Sequence, residues 1–222
     1  MMITETRQID TFNRISFRDF GTLILTQGES ESLTIEADQE LLSELIAEVR
    51  GDTLVLGIDD DWLNRIGKVI SSVFNNEEHR IIYHLTFTDI SEIKVSGKCT
   101  MQCNALTADN LKLKVSGLGN ITIDQLESKV LDSSISGRGD LKFSGKAGEH
   151  KLRISGSADV DAANLASQTA QITISGQGNA TLRVQDSLDI TISGLGQVNY
   201  YGQPKVRQVI SGFGKSKRLI EG

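Results

Sequence analysis

The sequence predicts an all-β chain wound into a right-handed parallel β-helix, and three observations carry that reading. The first is a Val/Ile-Ser-Gly tripeptide whose glycines are Gly97, Gly117, Gly137, Gly156, Gly176, Gly194 and Gly212, spaced 20, 20, 19, 20, 18 and 18 residues apart. A period of this length means stacked units that share one core. The second is alternation. Two residues before each glycine stand Val95, Val115, Ile135, Ile154, Ile174, Ile192 and Ile210, and four before it Ile93, Leu113, Ser133, Leu152, Ile172, Ile190 and Gln208. Four beyond it come Met101, Ile121, Leu141, Val160, Ala180, Val198 and Ser216. Apolar residues at every second position are the mark of strands, each pairing with its equivalent one rung away at about 4.8 Å. The third is the outward column five before the glycine: Glu92, Lys112, Asp132, Lys151, Gln171, Asp189, Arg207. Its sign alternates except at neutral Gln171, as stacked opposite charges require. Crossovers between parallel strands are right-handed, which sets the predicted hand.

Residues 1–90 show this repeat poorly and are predicted to form a β-rich cap within a single domain spanning 1–222. Strands are expected over residues 15–20, 22–26, 32–36, 53–57 and 80–88. Two amphipathic helices are expected between them. One covers 39–49 behind Asp38 as N-cap; the other covers 61–74, with Trp62, Ile66, Val69, Ile70 and Val73 on one face. A cap of this kind hides the open edge of the first rung. Residues 91–218 then form seven rungs. Five corners read Ser-Gly-x-Gly, which predicts a repeated bend using glycine's access to positive φ. Cys99 and Ala158 replace the second glycine in the other two, which predicts a different backbone angle there.

Composition agrees with thin layers: 21 Gly, one Pro and 5% aromatics leave small aliphatic residues to build the core. The net charge of -6 disfavours a grip on nucleic acid, which needs a basic stripe. Charge is unevenly placed. Eleven acidic residues lie between Glu29 and Asp61 against Arg50 alone, while the tail carries Lys205, Arg207, Lys215, Lys217 and Arg218. Such a basic last rung is either blocked by its charge or used in a closed homo-oligomer through the coil ends. No run is long enough to span a bilayer, and residues 1–10 hold no signal-like apolar stretch. The expected location is cytoplasmic if Met1 is the native start, and exported or at the cell surface if a signal has been removed. Cys99 and Cys103 on one strand would sit about 13 Å apart, against about 7 Å as the limit for a disulfide.

Most motifs have a structural reading. The Gly-x-Gly units lack the third glycine of a dinucleotide loop and lead into strands, and Gly214-Lys215-Ser216 lacks the earlier glycine of a phosphate loop. The serines from Ser96 to Ser211 lack a nearby base, since the histidines are His79, His84 and His150, the last in an inward column six before its glycine, and the hydroxyls are expected to bond to the corner backbone or to one another. No metal or other cofactor is expected; calcium rolls repeat at nine residues. Asn120-Ile121-Thr122 and Asn179-Ala180-Thr181 match glycosylation acceptors, a pattern that arises readily in such strands.

The surface carboxylates Asp140, Asp159 and Asp161 are the candidate site. Asp140 and Asp159 follow successive corners, which places them about 5 Å apart, the separation used by retaining glycosidases. Two such charges repel by about 3 kcal/mol at an effective dielectric of 20. Asp is also common in turns after glycine, and Lys142 is expected to stack beside Asp161 as its counter-ion. Two functions follow. The preferred one is a non-enzymatic scaffold that binds a protein or glycan, with no catalytic residues. The alternative is a carbohydrate-active enzyme using Asp140 and Asp159, which needs a cleft around the pair.

The Ser-Gly-x-Gly rungs, with residues 17–37 in the stretch ISFRDFGTLILTQGESESLTIEAD followed by a short helix and a strand, resemble the bacterial head GIN domain family. That family is described as a "putative autotransporter adhesin" and is otherwise a domain of unknown function. The resemblance covers nearly the whole chain. It implies a right-handed β-helix and a binding role at the cell surface, and it brings no catalytic residues.

Overall fold

The computed structural model describes residues 2–58 and 80–220. From residue 98 onward the chain climbs as a parallel coil. The full turns are β9 (Lys98–Val115), β10 (Leu118–Ile135), β11 (Arg138–Ile154), β12 (Ser157–Ile174) and β13 (Gln177–Ile192). The last turn divides into β14 (Leu195–Tyr201) and β15 (Lys205–Ile210), and β16 (Phe213–Arg218) begins another. The whole is a β-solenoid of about six turns. Its interior is the pair of apolar columns on either side of the corner: Ile135, Ile154 and Ile174 are in register and buried, as are Leu141, Val160 and Ala180.

The charge column stacks as expected. Lys112 and Lys151 flank Asp132 in register, and the pairing continues through Gln171 and Asp189 to Arg207. Two of its ion pairs run diagonally, from Lys114 Nζ to Glu92 Oε1 at 2.9 Å and from an Arg153 guanidinium nitrogen to Asp132 Oδ1 at 2.7 Å, while Lys151 pairs with Glu149 of its own strand at 2.9 Å. Each is solvent-exposed and contributes about 0–1 kcal/mol, so the ladder sets register more than stability. The unequal rung lengths are absorbed away from the Ser-Gly corner. Register shifts fall between Ile123 and Leu126, between Lys142 and Ser144, between Ala162 and Ala166 and between Ser167 and Thr169; Gly145, at φ 118°, stands opposite Leu126 at the first of them.

The corner glycines are required for a different reason from the one expected. None of the Ser-Gly-x-Gly glycines has positive φ, and neither Cys99 nor Ala158 departs from ordinary backbone. What excludes a side chain at the first glycine is the rung beneath. A Cβ on Gly137 would lie 2.1 Å from the carbonyl oxygen of Gly117, and the same contact recurs at Gly156, Gly176 and Gly194. The second glycine varies by rung: a Cβ on Gly119 would meet the Val115 side chain at 3.0 Å, a neighbour that can yield, whereas on Gly178 and Gly196 it would meet the carbonyl oxygens of Ala158 and Gly178 at 2.6 and 2.1 Å. Cys99 and Ala158 occupy that column in the other two rungs, both buried. Gly137→Ala is therefore expected to cost about 2–3 kcal/mol by forcing two rungs apart, and Gly119→Ala under about 1 kcal/mol. Chemical denaturation of the two variants checks this order, and equal costs would remove the explanation.

Three of the corner serines, Ser96, Ser116 and Ser155, bond through their hydroxyls to the corner backbone. Ser116 Oγ donates to the Val95 carbonyl and Ser155 Oγ to that of Ile135, both at 3.4 Å, oxygens that already accept the serine's own N–H.

The coil does not stop where the tripeptide stops. β8 (Glu92–Val95) pairs in parallel with β2 (Arg14–Phe17), which pairs in turn with β6 (Thr53–Ile58). Beyond the corner, β9 pairs with β3 (Phe20–Gln27) and β3 with β7 (Ile82–Phe87). Residues 14–27 thus form a rung directly under Glu92–Cys103, with Arg18 and Asp19 in the Ser-Gly position, and 53–58 with 82–87 form another beneath it. The backbone bonds are those of the other corners: Ser96 N to Phe17 O and Lys98 N to Asp19 O, both at 2.9 Å. Antiparallel strands close this end. β4 (Ser32–Asp38) lies on β7, β1 (Met2–Arg7) on β4, and β5 (Leu45–Arg50) on β6.

The helix expected over 39–49 is cut to one turn, α1 (Gln39–Leu42). Residues 45–50 are strand instead, because Gly51 at φ 65° turns the chain back so that Leu45 pairs with Ile58 and Arg50 with Thr53. Leu45, Ala47 and Val49 pack on the core at alternate positions, a period of two that the helical reading overlooked. The helix expected over 61–74 lies outside the described residues. Cys99 and Cys103 are free thiols on one strand, and burial pushes them up to about 12 and about 11. Among the described residues no helix is long and apolar enough to cross a membrane.

Candidate functional site

Asp140 and Asp159 sit just past successive corners, on β11 and β12, and are direct partners across the parallel ladder. Alternation sends Leu141 and Val160 inward and leaves the two carboxylates and Asp161 exposed. Asn120 stands one rung before Asp140 and Asn179 one rung after Asp159, so the column presents amide, acid, acid, amide. The Asn179 side-chain amide donates to Asp159 Oδ1 at 2.8 Å, and Asp161 Oδ1 accepts the Ala163 N–H at 3.1 Å. Lys142 is in register with Asp161 as expected, yet Asp161 bonds to its own turn and no ion pair joins the two.

These residues line a shallow depression of about 390 Å³ on a flat face, shared with Thr122 and Thr181 of the neighbouring outward column. The two threonines are legible once the column two residues beyond the carboxylates is read as part of the same surface. Carboxylates and amides on an open face can bond hydroxyl or amide groups of a ligand laid across them. They lack the walls that exclude water from a reacting bond.

Two buried polar groups stand out: Asp19, which the sequence reading did not single out, and His150, whose inward column was legible though its lack of a partner was not. Asp19, in the position of a corner glycine, is buried; its Oδ2 accepts the Tyr83 hydroxyl at 2.5 Å and its Oδ1 the Phe20 N–H at 2.6 Å. Burial pushes the Asp19 carboxyl up to about 6, with the two hydrogen bonds pulling against it, and burial together with Asp19 raises the Tyr83 phenol. His150, in the inward column six before its glycine, is fully buried against the edge of Phe143, and neither ring nitrogen has a partner. Burial lowers it to about 4 despite Asp132. The only signal for Asp19 is its place in the register; nothing in the sequence marks Tyr83 as its partner.

Solved structures of similar shape include three bacterial proteins. A protein from Bacteroides fragilis described as a putative adhesin superposes with a TM-score of 0.88 at 24% identity, over 99% of this chain and 97% of its own. One from Parabacteroides distasonis described as a putative lipid binding protein gives 0.75 at 17% identity, over 99% and 97%. A third, described as a putative adhesin from Parabacteroides merdae, gives 0.70 at 21% identity, over 99% and 96%. These likenesses establish a common fold, and no curated protein matches the chain. The family match is direct: residues 11–204 fit the family described as "Putative auto-transporter adhesin, head GIN domain", and the chain belongs to it.

Proposed function

We propose that this chain is a non-enzymatic binding module whose ligand is a glycan laid across the face that carries Asp140 and Asp159. The observation that carries the reading is the in-register pair of outward columns, Asn120, Asp140, Asp159 and Asn179 beside Thr122, Lys142, Asp161 and Thr181. Short amides, hydroxyls and carboxylates repeat there every rung, about 4.8 Å apart, and match a ligand that is itself a row of hydroxyls. A protein partner would ask for exposed aromatic or Arg anchors, and none lines this depression. Membership of a family described as adhesins supports a binding role. The enzymatic alternative is the weaker reading, because the carboxylate pair lies on an open surface.

A glycan array is expected to give binding that Asp140→Ala with Asp159→Ala reduces at least about tenfold, since hydrogen bonds to charged groups contribute about 1.5–3 kcal/mol each. The melting temperature should not change. An array with no bound glycan overturns the reading. Hydrolysis on a polysaccharide panel that both Asp140→Asn and Asp159→Asn abolish would replace it with the enzyme.

A further inference from the structure

Among the described residues the main path of the sheet begins at β1 and ends at β16, with β5 a second one-sided strand at the first end and β15 at the last. The first end is closed by β4, α1 and β5, and the stretch from Glu29 to Asp52 holds eight acidic residues against Arg50; Asp52 pairs with Arg14 and Glu48 with Arg50, and Arg7 donates to the Leu42 and Leu45 carbonyls, which leaves the end acidic on balance. The last rung carries Lys205, Arg207, Lys215, Lys217 and Arg218, no acid occurs between 203 and 220, and none of the five cations is ion-paired among the described residues. Charge alone does not describe this edge. Val209 is 65% exposed, Phe213 89% and Ile220 90%, and the inward-facing Val206 and Ile210 are half-exposed because no further rung covers them.

We infer that this chain binds a second copy of itself end to end, with the basic, apolar last rung of one seated on the acidic cap of the next. Strand edges that are unpaired and apolar pair readily with another chain. The charges decide the orientation. Two last rungs brought together would oppose five cations to five, whereas last rung to cap joins opposite signs. Such a contact is heterologous, so it repeats along an axis and does not close at a dimer.

Sedimentation velocity over a range of concentrations at low and high salt tests this on the full chain. The wild type is expected to associate at low salt and weaken at least tenfold in 0.5 M salt, where charges are screened within a few ångström. Lys215→Ser/Lys217→Ser/Arg218→Ser removes the basic end, and Glu40→Gln/Glu44→Gln/Glu48→Gln the acidic one. Each variant alone is expected to be monomeric, and an equimolar mixture to stop at heterodimers, because each retains the end that the other lacks. A wild type that stays monomeric throughout overturns the inference. So does a last-rung variant that associates more strongly, which would make the cations a block, or a cap variant that still self-associates, which would make the contact tail to tail. A monomer that sediments with phosphatidylserine vesicles would assign the same end to a lipid surface and overturn it as well.

Discussion

Ile154→Asp is expected to destabilise the protein by about 4–5 kcal/mol, the largest effect of any substitution considered. Ile154 is buried, with Ile135 directly before it and Ile174 directly after it in the inward ladder. A carboxylate there has no cation within the coil to pair with, and it must either remain charged in an apolar layer or take up a proton at a cost. Because rungs are stabilised by their neighbours, the damage should spread to β10 and β12 before it reaches the cap. Thermal melting followed by circular dichroism, with hydrogen exchange to locate the loss, checks both parts. A melting temperature equal to that of the wild type would remove the proposed core.

The second large effect is on pH dependence, and it comes from two groups that oppose each other. His150 is held near 4 when folded against 6.5 when free, so as pH falls through that interval the unfolded chain binds the proton first and stability is lost, by about 3 kcal/mol in all. Asp19 is raised to about 6 from 3.8, so over nearly the same interval the folded chain binds the proton first and stability is gained, again by about 3 kcal/mol. The wild type should therefore show little net contribution from this pair between pH 6 and 4. His150→Leu should become relatively more stable on acidification and Asp19→Asn relatively less, a divergence of about 6 kcal/mol between the two variants near pH 4. Urea unfolding at pH 7, 6, 5 and 4 measures it. Parallel curves for both variants would mean that neither group is buried as the fold places it.

Much of the coil was legible from residue order. The glycine spacing gave the rung length, the alternation of Val/Ile with polar residues gave the faces, and the column from Glu92 to Arg207 gave the register, each confirmed by a pairing from one rung to the next. The candidate carboxylates followed from the same register, so their adjacency was readable, while the openness of the surface around them was not. The N-terminal rungs were missed because their corner reads Arg18-Asp19 and Gly57-Ile58 in place of Ser-Gly. A motif search depends on the corner, whereas the pairing depends on the inward residues Ile15 and Phe17, which do continue the columns of Ile93 and Val95.

By itself, then, the sequence determined what repeats locally: strand type, inward and outward faces, rung period and the stacking order of charges. These depend on alternation and spacing along the chain, which every rung states again. The tertiary structure alone decided why the first corner glycine cannot be replaced, that residues 45–50 turn into a strand against 53–58, that Asp19 meets Tyr83 and that His150 has no partner. Each of those is a contact between atoms brought together by stacking or by a turn, across 64 residues in the case of Asp19 and Tyr83. Spacing along a chain carries no information about a single close approach of that kind, because the distance that matters is set by the packing of one rung on another.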